Sequence, residues 1–232
     1  MVRPTRTKQI QNLQEVIKET AWKQIAREGA AALSLRAIAR QLNITAPAIY
    51  NYFPSRDDLV TALIVDAFTS LGDSQKDSVK SIPANKPQAR LFTLGLAYRE
   101  WALTHPQLYQ LIFGTPIPGY EAPPDITLPA AAWALIPLIE TLQALYNADK
   151  LWVENLAKLT PTLKSMLGAW QEFVNKSGTK VHIEVLYLAF VIWSRVHGLV
   201  TLELGHQTPS FITDPGEIFR RELETIQKQY LS

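Results

Sequence analysis

Apolar residues recur at three- and four-residue spacing through most of the chain, and no strand-rich region or internal repeat interrupts them, so the sequence predicts an all-α fold. Ile10, Leu13, Ile17, Ala21 and Ile25 form one stripe over residues 9–28, and Gly29 suits the position just past a helix end. Ser34 is an N-cap, followed by the apolar face Leu35, Ile38, Ala39 and Leu42. Asn43 tolerates the left-handed conformation that stops this helix. Thr45 caps the next helix, residues 45–53, with Pro47 in its first turn, Ile49 and Phe53 pointing inward, and Pro54 ending it. Ser55 and Asp58 form a capping box with Asp in place of the usual Glu. The helix they open, residues 57–80, carries Leu59, Leu63, Ala67 and Leu71 on one stripe, and Asp57 and Asp58 suit its positive end. It is either a lever that transmits motion or a plain spacer.

Residues 81–87 (S-I-P-A-N-K-P) read as a linker. Beyond it the pattern predicts helices over 88–104, 106–113 and 129–148, the last with Pro137 as a kink or break. Further helices follow over 152–176 (one, or two with a restart at Thr160-Pro161), 180–204 and 216–230. Residues 114–128, rich in proline, read as an irregular loop, a candidate lid or a disordered segment. The segment 180–204 is apolar nearly all round, which predicts burial on every side. Arg195 within it then needs an acid, such as Glu203 or one from another chain. The total is about nine to ten helices: a helix-turn-helix domain at 1–56, a connecting helix and linker at 57–86, and a larger helical domain at 87–232.

Two short helices joined by so few residues cross steeply, which is the helix-turn-helix unit. The outward side of its second helix carries Thr45, Pro47, Ala48, Tyr50, Asn51 and Tyr52, with Arg56 beyond, and no acid lies between Gly29 and Arg56. Charge sharpens this picture. Residues 1–56 hold nine Lys/Arg against three Glu, whereas 57–232 hold fourteen Lys/Arg against eighteen acids. A basic module on a mildly acidic one fits docking on phosphate. Arg3, Arg6 and Lys8 make a basic arm, reaching DNA or idle. There is no cysteine, so disulfides and thiolate metal sites are excluded. No run of 18 apolar residues and no apolar leader core occur, which predicts a soluble cytoplasmic protein with no membrane association.

The strings L-S-L-R-A-I-A-R-Q-L-N-I-T and A-I-Y-N-Y-F-P-S-R-D-D-L, after a first helix ending at Gly29, resemble the DNA-binding domain of the TetR family of bacterial regulators, over residues 8–71. The Y-x-Y-F-x-S-R-x-x-L spacing is the most specific part. The resemblance implies a recognition helix at 45–53 on double-stranded DNA. Arg36 would reach a base, with Pro47 and Ala48 on thymine methyls and Asn51 on a base edge or phosphate. Ser34, Thr45, Tyr50, Tyr52 and Arg56 would hold the backbone. Many relatives have Gly or a polar residue where this chain has Pro47-Ala48, leaving few polar base readers. It also implies a homodimer, here through the last two helices, on a palindromic operator with half-sites ~34–36 Å apart or in related multiples.

In the second part, Tyr98, Trp101, Tyr109, Phe113, Trp133, Met166, Trp170, Phe190, Trp193 and His197 are candidate ligand contacts. Position by position they also read as core; the resemblance is what implies an effector pocket. The W-x-x-x-H-G string at Trp193, His197 and Gly198 resembles a C-terminal domain type of a subset of the family, with Gly198 allowing close helix contact and His197 favoured as a core hydrogen-bonding group. His105, His182, His197 and His206 show no metal spacing, and there is neither a phosphate-binding glycine loop nor a nucleophile elbow, so no enzyme, metal or cofactor is predicted. The expectation is a repressor released from its operator by a small, largely apolar ligand. The alternatives are a ligand-independent regulator or activator working through a protein partner, and an enzyme or carrier whose helix-turn-helix is incidental.

Overall fold

A computed structural model describes residues 12–152, 158–176, 178 and 180–232. The basic arm at residues 1–8 lies outside the described residues, as do residues 153–157 of the segment predicted as helix. Ten α-helices form among the described residues, and the only β pairing is an isolated antiparallel bridge between Leu151 and Leu231. They are α1 (Leu13–Glu28), α2 (Leu35–Gln41), α3 (Ala46–Tyr50), α4 (Arg56–Ser78), α5 (Pro87–Thr104), α6 (Pro106–Phe113), α7 (Pro124–Asn147), α8 (Pro161–Asn175), α9 (Ile183–Leu204) and α10 (Pro215–Tyr230).

The chain divides into two compact units. The first comprises residues 1–67 and 107–127, the second residues 68–106 and 128–232, so the division falls within α4, after the first residue of α6 and within α7. In the first unit α1 packs on a 3-10 turn, Ala30–Ala32, and on α2, and α2 packs on α3. Ile17, Ala21, Ile38, Ile49, Phe53, Leu59 and Leu63 make its core. Thr61 Oγ1 and the Tyr120 hydroxyl lie 2.9 Å apart, joining the 114–123 segment to α4. Lys18 pairs with Glu15 and Asp66, each at 2.8 Å, tying α1 to α4. Burial works to lower the Lys18 pKa, but the hydrogen bonds and charges of Asp66 and Glu15 together outweigh it and leave it raised.

In the second unit α9 packs on α8, α10 and α5, and α10 on α5. Gly95 makes the last contact possible: a Cβ there would fall 2.4 Å from Leu223 Cδ2. Asp214 caps α10 by accepting the Gly216 and Glu217 amides at 2.9 and 3.2 Å.

Four sequence expectations are corrected. Helix α7 starts at Pro124, not at 129, so only 114–123 is irregular and both Pro129 and Pro137 lie inside the helix. Pro137 has no N–H for the Trp133 carbonyl. One residue on, the Ala134 carbonyl accepts a 2.7 Å hydrogen bond from the buried Gln75 side chain, which restores polar pairing beside the gap. Arg195 does not pair with Glu203. It bonds Glu222, and Gln229 at 2.8 Å, whereas Glu203 takes Arg99. Helix α9 is not buried all round, since Phe190 is 54% and Leu202 43% exposed. Finally, Gly198 meets no neighbour within 4 Å of an added Cβ, so within this chain it permits no close helix contact. Helices α7 and α9 are each long and apolar enough to cross a membrane by composition alone.

Candidate nucleic-acid interface and effector region

The helix-turn-helix is assembled by local caps. Ser34 Oγ accepts the Ala37 amide at 3.4 Å and starts α2. Asn43 sits at φ 54, the left-handed residue that turns the chain between α2 and α3. Thr45 begins α3 in extended conformation with its side chain unused in capping. The regular part of α3 is five residues, and 51–52 continue as turn, with the Phe53 amide on the Ile49 carbonyl at 3.0 Å. Ser55 and Asp58 cap each other reciprocally: Asp58 Oδ2 accepts the Ser55 amide at 2.8 Å, and Ser55 Oγ accepts the Asp58 amide at 3.1 Å.

Two buried anchors, Ile49 and Phe53, fix which way α3 faces. Thr45, Pro47, Tyr50, Asn51 and Tyr52 are consequently exposed, as is Arg36 on α2, while Ser34 and Ala48 are half-buried. Arg56 is placed differently. Its Nη2 donates to the Ala30 and Ala31 carbonyls, both at 3.2 Å, and so ties the start of α4 to the 3-10 turn.

One organising residue escaped the sequence reading. Gln24, 5% exposed, donates to the Ala32 carbonyl at 3.3 Å and accepts the Ser34 amide at 3.2 Å. It holds the entry to α2, and through it Arg36. The signal was present: Gln24 stands on the Ile17–Ala21 stripe, and a polar residue on a buried stripe must find partners.

The candidate effector contacts are divided between the two units, Tyr109 and Phe113 in the first and the others in the second. Tyr98, Trp193 and His197 cluster, with the Tyr98 hydroxyl 2.8 Å from His197 Nδ1 and the indole and imidazole centroids 4.9 Å apart. Burial lowers the His197 pKa. Phe190 neighbours Trp193 at 6.0 Å between centroids but is largely exposed. Trp101 is buried, its indole donating to Ser70 Oγ at 3.0 Å. Tyr109 and Phe113 pair edge-on at 5.1 Å within the first unit. Met166 is 66% exposed, and Trp170 is half-buried. Trp133 lines a partly enclosed cleft of about 410 Å³, together with Ile136, Phe173, Lys76 and Lys176.

An exposed, acid-free short helix set by a tight turn on a buried partner defines a helix-turn-helix DNA-binding module. Comparison with known proteins gives its family. Residues 17–63 match the family model described as bacterial regulatory proteins, tetR family, and residues 91–226 match the model for the tetracyclin repressor-like C-terminal domain. The HTH-type transcriptional regulator Rv1816 of Mycobacterium tuberculosis strain H37Rv is 31% identical over 211 residues, covering 90% of this chain and 88% of that one. The crystal structure of SCO4313 superposes with a TM-score of 0.72 at 35% identity, over 93% of this chain and 95% of that chain. A structure of a protein with unknown function from Rhodococcus sp. RHA1 shares the fold, with a TM-score of 0.73 at 19% identity over 98% and 100% of the two chains. The chain belongs to the TetR family: it is a transcriptional regulator with a DNA-binding helix-turn-helix, not an enzyme.

Proposed function

We propose that the protein is a homodimeric repressor that leaves a palindromic operator when its second unit takes up a small, largely apolar ligand. The observation that carries the reading is the outward set of Arg36, Thr45, Pro47, Tyr50, Asn51 and Tyr52, exposed on a surface whose sequence holds no carboxylate from residue 30 to 56. Arg36 reads a guanine, Pro47 and Ala48 meet thymine methyls, Asn51 reads a base edge or phosphate, and Ser34, Thr45, Tyr50 and Tyr52 grip the backbone. Arg56 acts on the backbone with whatever donors remain beyond its bonds to Ala30 and Ala31. The domain division follows these roles: 1–56 for DNA, 57–86 as connector, 87–232 for ligand and dimer. A DNA-binding role places the protein in the cytoplasm, with α7 and α9 as core and interface helices.

Dimerisation uses α9 and α10. On α9, Phe190, Ser194, Gly198 and Leu202 recur every four residues and are all exposed, which supports a face that a second copy covers. Beside them Leu199 and Ile218 line a surface groove with Arg221. Helix α4 supplies the link to DNA. It is one 23-residue helix, bonded at its first turn to the 3-10 turn through Arg56 and holding Trp133 near its last turns. A ligand that binds one position of α4 better than another changes the separation of the two recognition helices.

The test is selection of bound sequences from a random DNA pool, followed by titration against salt. A palindrome whose affinity falls steeply as salt rises is the expected result. Enrichment of no sequence, or a flat salt slope, would overturn the reading.

A further inference from the structure

We propose that the cleft formed by α4, α7 and α8 is the effector site, and that its ligand is an apolar molecule carrying a single negative charge. The proposal rests on the ligand-responsive reading above and adds the place and the chemistry. The floor and walls are apolar: Trp133 and Ile136 on α7, Phe173 on α8. The volume, about 410 Å³, falls within the range of about 300–1,000 Å³ typical of small-molecule sites. Phe173 is 37% exposed, so an occupant would remove apolar surface from water.

Charge selects the ligand. Two ammonium groups, Lys76 and Lys176, and one carboxylate, Glu140, line the cleft, so the lining itself carries one net positive charge, while the Asp73 carboxylate outside the lining is engaged by the Trp133 indole N–H. Neither lysine has a carboxylate within ion-pair distance among the described residues. Lys76 instead lies over the Trp133 ring, 4.6 Å from its centroid. A monoanion seated on Trp133 meets that ammonium directly, in a partly enclosed apolar setting where the pairing is stronger than in open water. A dianion would face Glu140, and a neutral molecule would leave the one net positive charge of the lining unmatched.

The cleft is also bonded directly to α4. The Trp133 indole donates to Asp73 at 3.0 Å and sits against Gly72, while Gln75 holds the adjacent Ala134 carbonyl. Asp73, Gln75 and Lys76 all belong to α4. A ligand that draws on Lys76 or shifts the indole therefore acts on α4 without an intermediary.

The experiment uses the full chain and a matched pair of fluorescent probes: anilinonaphthalene sulfonate, a monoanion, and anilinonaphthalene, the same aromatic body without charge. The expected result is a preference for the sulfonate of at least ~tenfold, the size of one charge-assisted hydrogen bond. The double variant Lys76→Gln/Lys176→Gln should lose that preference and keep affinity for the neutral probe. Ile136→Trp, which fills the cleft, should weaken both, and Phe173→Ser, which removes an apolar wall at a partly exposed position, gives the same readout should Ile136→Trp fail to fold. Equal affinities for the two probes, a preference that survives the lysine changes, or binding indifferent to the cleft variants would each overturn the proposal. Operator binding measured without probe keeps the two readings apart. Sequence-specific DNA binding with no cleft preference removes this proposal alone, whereas a lysine-dependent preference without DNA binding removes the regulator reading alone.

Discussion

The indole of Trp133 occupies the space that a side chain at position 72 would need: a Cβ on Gly72 would fall 2.3 Å from indole Cδ1 and 3.1 Å from the Trp133 carbonyl oxygen. Glycine at that point is what lets α7 lie against α4 with Asp73 in reach of the indole N–H. Gly72→Ala should therefore cost about 1–3 kcal/mol through overpacking. Urea unfolding measures it, and a variant as stable as the wild type would show that the indole moves freely.

Arg36 and Tyr52 separate reading from gripping. Arg36→Ala should lose on the order of 1–3 kcal/mol of operator affinity and relax the preference at one base position. Tyr52→Phe should weaken all sequences alike. Binding assays on the selected operator and on a scrambled duplex distinguish the two patterns, and unchanged binding by both variants would mean that α3 does not face DNA.

Gln24 should matter to DNA binding although it is buried. Gln24→Leu keeps the volume but strands the Ser34 amide and the Ala32 carbonyl, at about 1–3 kcal/mol for a buried polar group left without a partner. Thermal unfolding should shift down, and operator affinity should fall with it because Arg36 follows the start of α2.

The exposed face of α9 gives a test of assembly. Phe190→Glu and Gly198→Arg put charge and bulk on the exposed side of α9, so a monomer should tolerate both. Sedimentation should show the wild type as a dimer and the variants as monomers with weakened operator binding. A wild-type monomer, or variants that remain dimers, would move the interface elsewhere.

Acid should destabilise the second unit through His197. Its pKa is held below the ordinary imidazole value of 6.5 because burial disfavours the charged ring. The unfolded chain then takes up a proton that the folded chain refuses. Stability is intact above pH 6.5 and is lost progressively as pH falls from there toward the lower folded value. His197→Gln should flatten that part of the pH profile of unfolding, and an unchanged slope would assign it to other groups.

The sequence by itself determined the parts of this protein that are decided within four residues. Ser34, Asn43 and the Ser55–Asp58 pair cap and turn the chain as their spacing requires, because a cap needs only its own turn of helix. The same local strings carry the family. The tertiary structure alone decided which distant groups meet: Arg56 on Ala30 and Ala31, Arg195 on Glu222 rather than Glu203, Gln24 on Ser34, Trp133 on Gly72. It also divided the ten candidate aromatic and sulfur side chains between the two units and set Trp133 in a cleft. Helical periodicity shows that a residue faces inward, but the identity of its neighbour depends on how helices far apart in sequence pack, and no spacing along the chain encodes that.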